Sequence, residues 1–228
     1  MRIQSTAFYG KSMLLAVLAL LLTACIDLAA TKSLARDPHH TFRSPAAVFV
    51  MRGGLGGIFS TGMNQLQKTL EYQYNVHTES TVWYHAYDLG VRIREQYGTP
   101  ALRGPIVLVG HSLGANDQIK VAQTLNRAGI PVELLMTVDA VSPIRVPPNV
   151  KKVVNIYKPS FVPMFSGQRV IAENASVTRI ENLNVDTLSG LSVNHFTIEK
   201  NAAIQKLMLD AVLHAIHYPS SSLKPAGR

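Results

Sequence analysis

The sequence predicts an α/β protein in which a mostly parallel central sheet carries helices on both faces. From Pro45 onward, short and nearly continuous apolar runs alternate with longer segments of helical periodicity. A strand that is apolar along its whole length is buried on both faces, which is typical of parallel sheets. Parallel strands need crossover connections, and the amphipathic helices between the runs would supply them. Ligands of such sheets bind beyond the carboxyl ends of the strands, so functional residues are expected there.

The individual elements follow from the apolar runs and from the glycines that end the helices. The sequences "AAVFVM" (46–51) and "GPIVLVG" (104–110) predict buried strands, whereas "STVWYHA" (80–86) alternates between apolar and polar residues. Gly98 and Gly129 mark helix ends. Three further strands are predicted at 132–139, 151–158 and 176–185, and four helices at 61–75, 88–98, 114–129 and 197–216.

The amino terminus has the composition of a secretory signal peptide. Arg2 and Lys11 precede an uninterrupted apolar run, Met13 to Leu22, and small residues follow it. This run is too short for a membrane-spanning helix, which needs roughly 20 apolar residues. We therefore predict a signal peptide at residues 1–24, with an amphipathic or anchoring helix as the alternative.

Cys25 is the only cysteine, so no disulfide is possible within one chain. It ends the sequence "LTAC" (22–25), which resembles the lipobox of bacterial lipoproteins. The resemblance implies that Cys25 is acylated and becomes the first mature residue; ordinary cleavage near "DLAAT", which leaves a soluble protein, is the alternative. Ile26 stands where an aspartate often marks inner-membrane retention. We expect an exported cell-envelope protein, anchored to the outer membrane through a lipid and facing the periplasm.

The rest of the chain suits one domain, predicted at residues 45–218, with a polar tether over residues 25–44 and a tail at 219–228. Removing residues 1–24 removes the charges of Arg2 and Lys11, which lowers the net charge from +8 to +6. The basic residues form no cluster and no aromatic residues interleave with them, so no nucleic-acid partner is predicted. The surplus gives a weak preference for anionic membrane surfaces.

One motif at a strand end indicates chemistry. The sequence "GHSLG" (110–114) is a G-x-S-x-G pattern centred on Ser112, and it joins the predicted strand 104–110 to the predicted helix 114–129. So sharp a strand-to-helix turn strains the serine backbone and crowds its neighbours, and glycines relieve that crowding. The helix N-terminus also places N–H groups beside the serine oxygen. In this context Ser112 is predicted to be a nucleophile.

The stretch "VLVGHSLGA" resembles the nucleophile elbow of α/β-hydrolases, particularly lipases and thioesterases. The resemblance extends from about Ala46 to Ile216. It implies an α/β-hydrolase fold and a triad in the order serine, acid, histidine along the chain. The spaces between the predicted elements leave room for little or no lid.

Two aspartates compete for the role of the triad acid. Asp139 ends the predicted strand 132–139 and would share the sheet edge with Ser112, and "VDAVSP" is similar to the acid-bearing turn of several lipases. Asp186, in "NVDTLSG", is the rival, because other hydrolases carry the acid one or two strands later. Placement at the strand end favours Asp139. The acid would orient the imidazole of the base and stabilise its cation.

His195 is the predicted base. It lies in "LSVNHFTIEKN", a loop before the last predicted helix, where the family usually carries its histidine. A serine hydroxyl is a poor nucleophile until a base of near-neutral pKa removes its proton. Seven other histidines compete, and His111 is expected to point away from the elbow turn.

An oxyanion hole requires two backbone N–H groups. The resemblance assigns one to Leu113 and the other to the loop "RGGLGG" (52–57), where Leu55 is favoured and Gly54 is second. A phosphate-binding role for these glycines is disfavoured, because no lysine with serine or threonine follows them. A metal site is not predicted either, since the chain has no H-E-x-x-H motif and only one cysteine.

Together these residues predict a serine hydrolase that cleaves a small acyl ester or thioester without a cofactor. Residues 155–170 are long enough to shape a pocket above the strand ends, and Phe161, Met164 and Phe165 are candidate contacts for an acyl chain. The alternative is a non-enzymatic envelope lipoprotein on an α/β-hydrolase scaffold.

Overall fold

A computed structural model describes residues 27–219 of the chain. The predicted signal peptide (1–24), the candidate lipidation site Cys25 and residues 220–228 of the predicted tail lie outside this range. Within the range, no helix has both the length and the apolar character needed to cross a bilayer.

Six parallel strands form the central sheet, in the order β2-β1-β3-β4-β6-β8. A separate two-strand ladder pairs β5 with β7. Its strands have two residues each, too few to show any periodicity in the sequence. The strands are β1 (Ala47–Arg52), β2 (His77–Val82), β3 (Ile106–His111), β4 (Val132–Val138), β5 (Arg145–Val146), β6 (Val150–Tyr157), β7 (Ile171–Ala172) and β8 (Arg179–Asn184). The mostly parallel sheet predicted from the apolar runs is thus confirmed.

Four helices cover the two faces of the sheet. They are α1 (Thr61–Lys68), α2 (Ala86–Gln96), α3 (Leu113–Arg127) and α4 (Ala202–Ala215). Helices α1 and α4 bury their apolar residues against one face, and α2 and α3 against the other. Apolar side chains of the central strands alternate between these two layers, as a sheet buried on both faces requires. At the carboxyl ends of two adjacent strands, Ser112 follows β3 and Asp139 follows β4.

Several predicted elements have different bounds in the structure. The predicted helix 61–75 is α-helical only to Lys68, and the predicted strand 176–185 is reduced to Arg179–Asn184. The predicted strand 80–86 is wrong at both ends. It begins earlier, at His77, and it stops at Val82, after which Trp83–His85 form a 3₁₀ turn that leads into α2. The last helix begins five residues later than predicted. Asn201 caps it by accepting hydrogen bonds from the N–H groups of Ala203 and Ile204, and a 3₁₀ turn precedes the cap.

The described part of the predicted tether, residues 27–44, contacts the domain through polar groups. The Asn64 amide donates to the carbonyl oxygen of Ala29 at 2.8 Å, and the Thr31 hydroxyl donates to Gln67 at 2.6 Å. The Ser33 hydroxyl donates to Glu71. These contacts lie along α1 and its π-helical continuation, Thr69–Gln73. Hydrophobic periodicity carries no signal for polar packing of this kind.

Candidate active site

Ser112 occupies the turn between β3 and α3 with backbone angles of φ 59° and ψ −127°. A non-glycine residue with this positive φ is strained by roughly 1–3 kcal/mol, and such strain persists only where the surroundings enforce it. Here the Ser112 N–H donates to the carbonyl oxygen of Val138 on β4, at 2.9 Å. The start of α3 also lies tight against β1: a Cβ atom at Gly114 would lie 2.5 Å from the Met51 carbonyl oxygen. The G-x-S-x-G pattern therefore forms the strained strand-to-helix turn that it predicts.

The structure brings Ser112, His195 and Asp139 into one hydrogen-bonded line. His195 Nε2 lies 2.9 Å from Ser112 Oγ, and His195 Nδ1 lies 2.7 Å from Asp139 Oδ2. A carboxylate only accepts, so Nδ1 carries the proton and Nε2 is free to accept the serine proton. All three residues are buried. The line has the geometry of a nucleophile, a base and an orienting acid.

Asp139 is held in place through both carboxylate oxygens. Oδ2 accepts from His195, and Oδ1 accepts the backbone N–H of Lys158 at 2.7 Å. Gly167 makes room for this contact, because a Cβ there would overlap Oδ1. Asp139 has a positive φ of 54°, and its own N–H donates to the Ile156 carbonyl oxygen. Gly167 was not among the predicted site residues, since nothing in the sequence relates it to Asp139.

The rival acid, Asp186, lies elsewhere. Its carboxylate pairs with the ammonium group of Lys158, and its side chain is 48% exposed. It forms no contact with His195 among the hydrogen bonds of the described residues. Of the two aspartates, the structure therefore places only Asp139 beside the histidine.

The predicted oxyanion residues lie on two neighbouring segments. Gly54 and Leu113 approach each other, since a Cβ at Gly54 would lie 3.4 Å from Leu113 Cδ1. Leu55 begins the 3₁₀ turn Leu55–Gly57 and has a positive φ of 51°. Within the described chain, the Gly53 N–H already donates to Ser60 Oγ. No such bond is formed by the N–H groups of Gly54, Leu55 or Leu113, so these three are available for a ligand.

His111, which was not predicted to have a role, connects two loops of the site. Its Nε2 lies 2.9 Å from the carbonyl oxygen of His195, and its Nδ1 lies 2.8 Å from Ser60 Oγ. A carbonyl oxygen only accepts, so Nε2 carries the proton and Nδ1 accepts the Ser60 hydroxyl. Ser60 in turn accepts the N–H of Gly53 at 3.0 Å. We call this chain of Gly53, Ser60, His111 and the His195 backbone the histidine bridge.

Burial keeps His111 neutral. Desolvation, with a smaller contribution from the neighbouring His195, lowers the pKa of His111 to about 3. The bridge therefore keeps one tautomer over the ordinary pH range. The signal for it was present in the sequence, since a histidine at the end of an otherwise apolar buried strand must satisfy both ring nitrogens.

Glu199 joins the loop of the base to the start of α1. It is buried, and its Oε1 accepts the Gly62 N–H at 3.2 Å. Its other oxygen has no hydrogen-bond partner among the described residues. Desolvation raises the pKa of Glu199 to about 7, although Lys200 opposes that effect. This carboxyl group was also missed, because "TIEKN" suggests only a helix start.

An apolar cleft of about 470 Å³ borders the base. Its lining includes His195, Phe161, Phe165 and Phe196. Two of the predicted acyl contacts, Phe161 and Phe165, thus line it, whereas Met164 does not. A larger cleft of about 630 Å³ lies along α1, but its lining contains neither serine nor histidine. The smaller cleft is the relevant one because it contains the base.

No protein-family model and no curated protein sequence matches this chain. Among solved structures, this chain is similar to the RedJ thioesterase from the prodiginine biosynthetic pathway of Streptomyces coelicolor. The two are 12% identical with a TM-score of 0.46, and the match covers 76% of this chain and 87% of RedJ. Human thioesterase 2 has 12% identity, coverage of 81% and 100%, and a TM-score of 0.44. The NocB thioesterase domain, solved as a covalent complex with a fluorophosphonate nocardicin G analogue, has 13% identity, coverage of 84% and 97%, and a TM-score of 0.46.

The chain's own topology defines its fold. The central sheet is parallel, with crossovers on both faces. A strained serine turn joins β3 to α3, and an aspartate follows β4. The histidine lies in the loop before the last helix. Residues 27–219 therefore form an α/β-hydrolase fold.

Proposed function

We propose that the protein is a serine hydrolase that cleaves carboxylic esters or thioesters through an acyl-enzyme on Ser112. The observation that carries this proposal is the hydrogen-bonded line from Ser112 Oγ through His195 to Asp139. A serine, a neutral imidazole and a buried carboxylate in this order are the components of acyl transfer by nucleophilic catalysis.

In the first half of the reaction, His195 Nε2 takes the Ser112 proton while Oγ attacks the acyl carbon. The carbonyl oxygen gains negative charge, which the N–H groups of Leu113 and Leu55 stabilise, with Gly54 as the alternative to Leu55. The carbon–oxygen or carbon–sulfur bond of the substrate then breaks. The alcohol or thiol leaves with the proton from His195, and the acyl group stays on Ser112.

Water completes the cycle. His195 takes a proton from a water molecule, whose oxygen attacks the acyl carbon, and the bond to Ser112 Oγ breaks as His195 returns the proton to the serine. Asp139 remains ionised throughout and stabilises the imidazolium that forms twice. The apolar cleft beside His195 supports an acyl group as the part of the substrate that is bound.

A fluorophosphonate probe tests the proposal. The folded protein should be labelled covalently at Ser112 and should hydrolyse short-chain p-nitrophenyl esters, whereas Ser112→Ala should lose both properties. Alanine fits the turn, so the variant should keep the wild-type circular dichroism spectrum. Absence of labelling and turnover in folded wild-type protein would instead support a non-enzymatic envelope lipoprotein on this scaffold.

We also propose that Cys25 is lipidated and anchors the protein in the bacterial envelope, facing the periplasm. The proposal rests on the sequence "LTAC" after a basic and an apolar segment. Metabolic labelling with a fatty-acid analogue should mark the wild type, and Cys25→Ser should release it from membranes or block its maturation. An unlabelled wild type found entirely in the periplasmic fraction would contradict this anchor.

A further inference from the structure

Exposed apolar side chains concentrate around the candidate active site. Among the described residues, twelve large hydrophobic side chains are exposed, and seven of them belong to the segments that surround Ser112 and His195. We call these seven the apolar rim: Leu28, Leu55, Ile58, Phe59, Phe161, Met164 and Phe196. Two of them protrude far, since Phe161 is 95% and Met164 68% exposed.

Ring contacts connect the aromatic part of the rim with the site. The ring of Phe196 lies 5.4 Å from that of Phe59 and 4.9 Å from that of Phe165. Phe165 in turn lies 5.4 Å from the His195 ring. Phe161 lines the same cleft as Phe165 and Phe196. Soluble proteins rarely expose contiguous apolar surface of this kind unless another surface covers it.

The described part of the chain begins at this rim. Arg52, at the end of β1, is fully buried, and its guanidinium group forms a two-bond ion pair with Asp27, at 2.5 Å and 2.6 Å. The next residue, Leu28, donates its N–H to the carbonyl oxygen of Gly56 at 3.1 Å. Residues 27 and 28 are thus fixed to the loop that carries the proposed oxyanion group of Leu55.

Covalent geometry then limits where a lipid anchor can be. Cys25 precedes Asp27 by only two residues in the sequence, and two residues of chain span at most about 7 Å. The apolar run Met13 to Leu22 ends three residues before Cys25. A lipid anchor on Cys25 would therefore join the domain through Asp27 and Leu28, at the apolar rim.

Charged groups beside the rim agree with a lipid surface. Lys158 lines the cleft, and Lys200 donates to the carbonyl oxygen of Phe196. Long basic side chains can keep the ammonium group at the headgroup level while neighbouring apolar side chains enter the acyl region. The nearby carboxylates do not oppose this arrangement. Asp186 is paired with Lys158 and Asp27 with Arg52, and Glu199 is buried.

We propose that the apolar rim lies against the bilayer to which the amino terminus is attached, and that the Asp27–Arg52 ion pair holds it in that orientation. The acyl group of a substrate would then enter the cleft directly from the lipid. This last step rests on the proposed hydrolase function, whereas the orientation rests on the proposed membrane anchor at Cys25 and not on catalysis.

Spin labels test the orientation in the full chain reconstituted into vesicles of phosphatidylethanolamine and phosphatidylglycerol. One label is attached at Met164→Cys in the rim. The matched control is attached at Tyr87→Cys, which is 76% exposed on α2, in a different cleft. The parent chain, labelled in parallel, reports any free thiol at Cys25. Collisions with oxygen, which is soluble in lipid, are compared with collisions with a water-soluble nickel chelate.

We expect a higher oxygen-to-nickel collision ratio at position 164 than at 87, and a fall at 164 when Asp27→Ala is added. Equal, water-like ratios at both positions would overturn the proposal. Spin–spin broadening at position 164 without lipid contact would mean that two labels lie close together. That result would overturn the proposal and indicate that a second copy of the chain covers the rim. A lipid-like ratio that Asp27→Ala leaves unchanged would overturn the orienting role of the ion pair. Fluorophosphonate labelling of the same samples reports separately on the hydrolase function.

Discussion

Three of the five non-glycine residues with positive φ within residues 27–219 belong to the candidate site: Leu55, Ser112 and Asp139. One lies in the proposed oxyanion loop, one is the proposed nucleophile and one is the proposed acid. Conformations of this kind cost of order 1–3 kcal/mol each and are retained only where the surroundings enforce them. The free energy of folding is thus used to fix the positions of reacting groups before substrate binds.

The two aspartates should differ sharply when each is replaced by asparagine. Asparagine at 139 keeps the shape but presents the wrong hydrogen-bonding pattern to His195, a change that costs about 10⁴ in a comparable triad. Asp139→Asn should therefore lose on the order of 10²–10⁴ in kcat, or about 3–5 kcal/mol of transition-state stabilisation.

Asp186→Asn is the matched control for Asp139→Asn. It removes only the pairing with Lys158, so kcat should change by less than about tenfold. Circular dichroism first checks that both variants fold. The kcat values of the two variants on p-nitrophenyl esters are then compared. The opposite ranking of the two variants would reject Asp139 as the acid.

Removing the Ser60 hydroxyl should break the histidine bridge. Ser60→Ala leaves the Gly53 N–H and His111 Nδ1 without their partner, which should cost about 1–3 kcal/mol in the free energy of unfolding. Because the bridge joins the two loops that carry the base and the oxyanion site, kcat should fall by about tenfold or more. Urea unfolding and steady-state kinetics measure the two effects. Ser176→Ala, on the surface, is the control, and equal behaviour of the two variants would exclude a positioning role for the bridge.

At the level of elements, continuous apolar runs were the reliable signal. The strands β1, β3, β4 and β6 appear within two residues of their predicted bounds, because each contains a run of mostly apolar residues that is buried in the sheet. The alternating run 80–86 gave the wrong bounds at both ends. The strand already begins at His77, and the aromatic residues after Val82 continue the pattern while the backbone turns. Short or polar elements, such as β5 and the segment 27–44, carry no such pattern.

The 3₁₀ turn before α4 packs against α1 through Glu199, which accepts the Gly62 N–H. This contact should make the free energy of unfolding depend on pH. The folded pKa of Glu199 is about 7, above the ordinary value of 4.5, so the folded state holds a proton that the unfolded chain releases. The resulting stabilisation is complete below pH 4.5 and is lost as the pH rises through 7. The displacement of the pKa corresponds to on the order of 3 kcal/mol.

Glu199→Gln removes this titration. Relative to wild type, the free energy of unfolding of the variant should therefore rise between pH 4.5 and 8, as measured by urea denaturation at each pH. The low pKa of His111 acts in the opposite direction, but it is common to both proteins and cancels in the comparison. Glu173→Gln, on the surface, is the control. A constant difference between wild type and Glu199→Gln across this range would contradict a buried, protonated Glu199.

At the scale of the whole molecule, the sequence predicted the groups that each follow a recognisable local pattern. Ser112 lies in a five-residue motif, Asp139 at a strand end and His195 in a loop before the last helix, and the structure brings these three together. The position of His111 at the end of a buried strand signals a need for partners, but the partners in the histidine bridge and the Asp27–Arg52 ion pair could not be identified from the sequence. Each joins residues that are far apart in the chain through polar side chains, which have no periodic signature.

In protein-engineering terms, the Asp27–Arg52 ion pair determines where a recombinant form of this domain can start. Cutting at Pro45, where the apolar pattern begins, would remove the one carboxylate that pairs with a fully buried guanidinium group within residues 27–219. Loss of a buried partner charge typically costs 3–5 kcal/mol, a large part of the stability of an ordinary domain. Protein starting at residue 45 should thus unfold at much lower urea concentration than protein starting at residue 26, and an affinity tag is best placed ahead of Asp27 or at the opposite terminus.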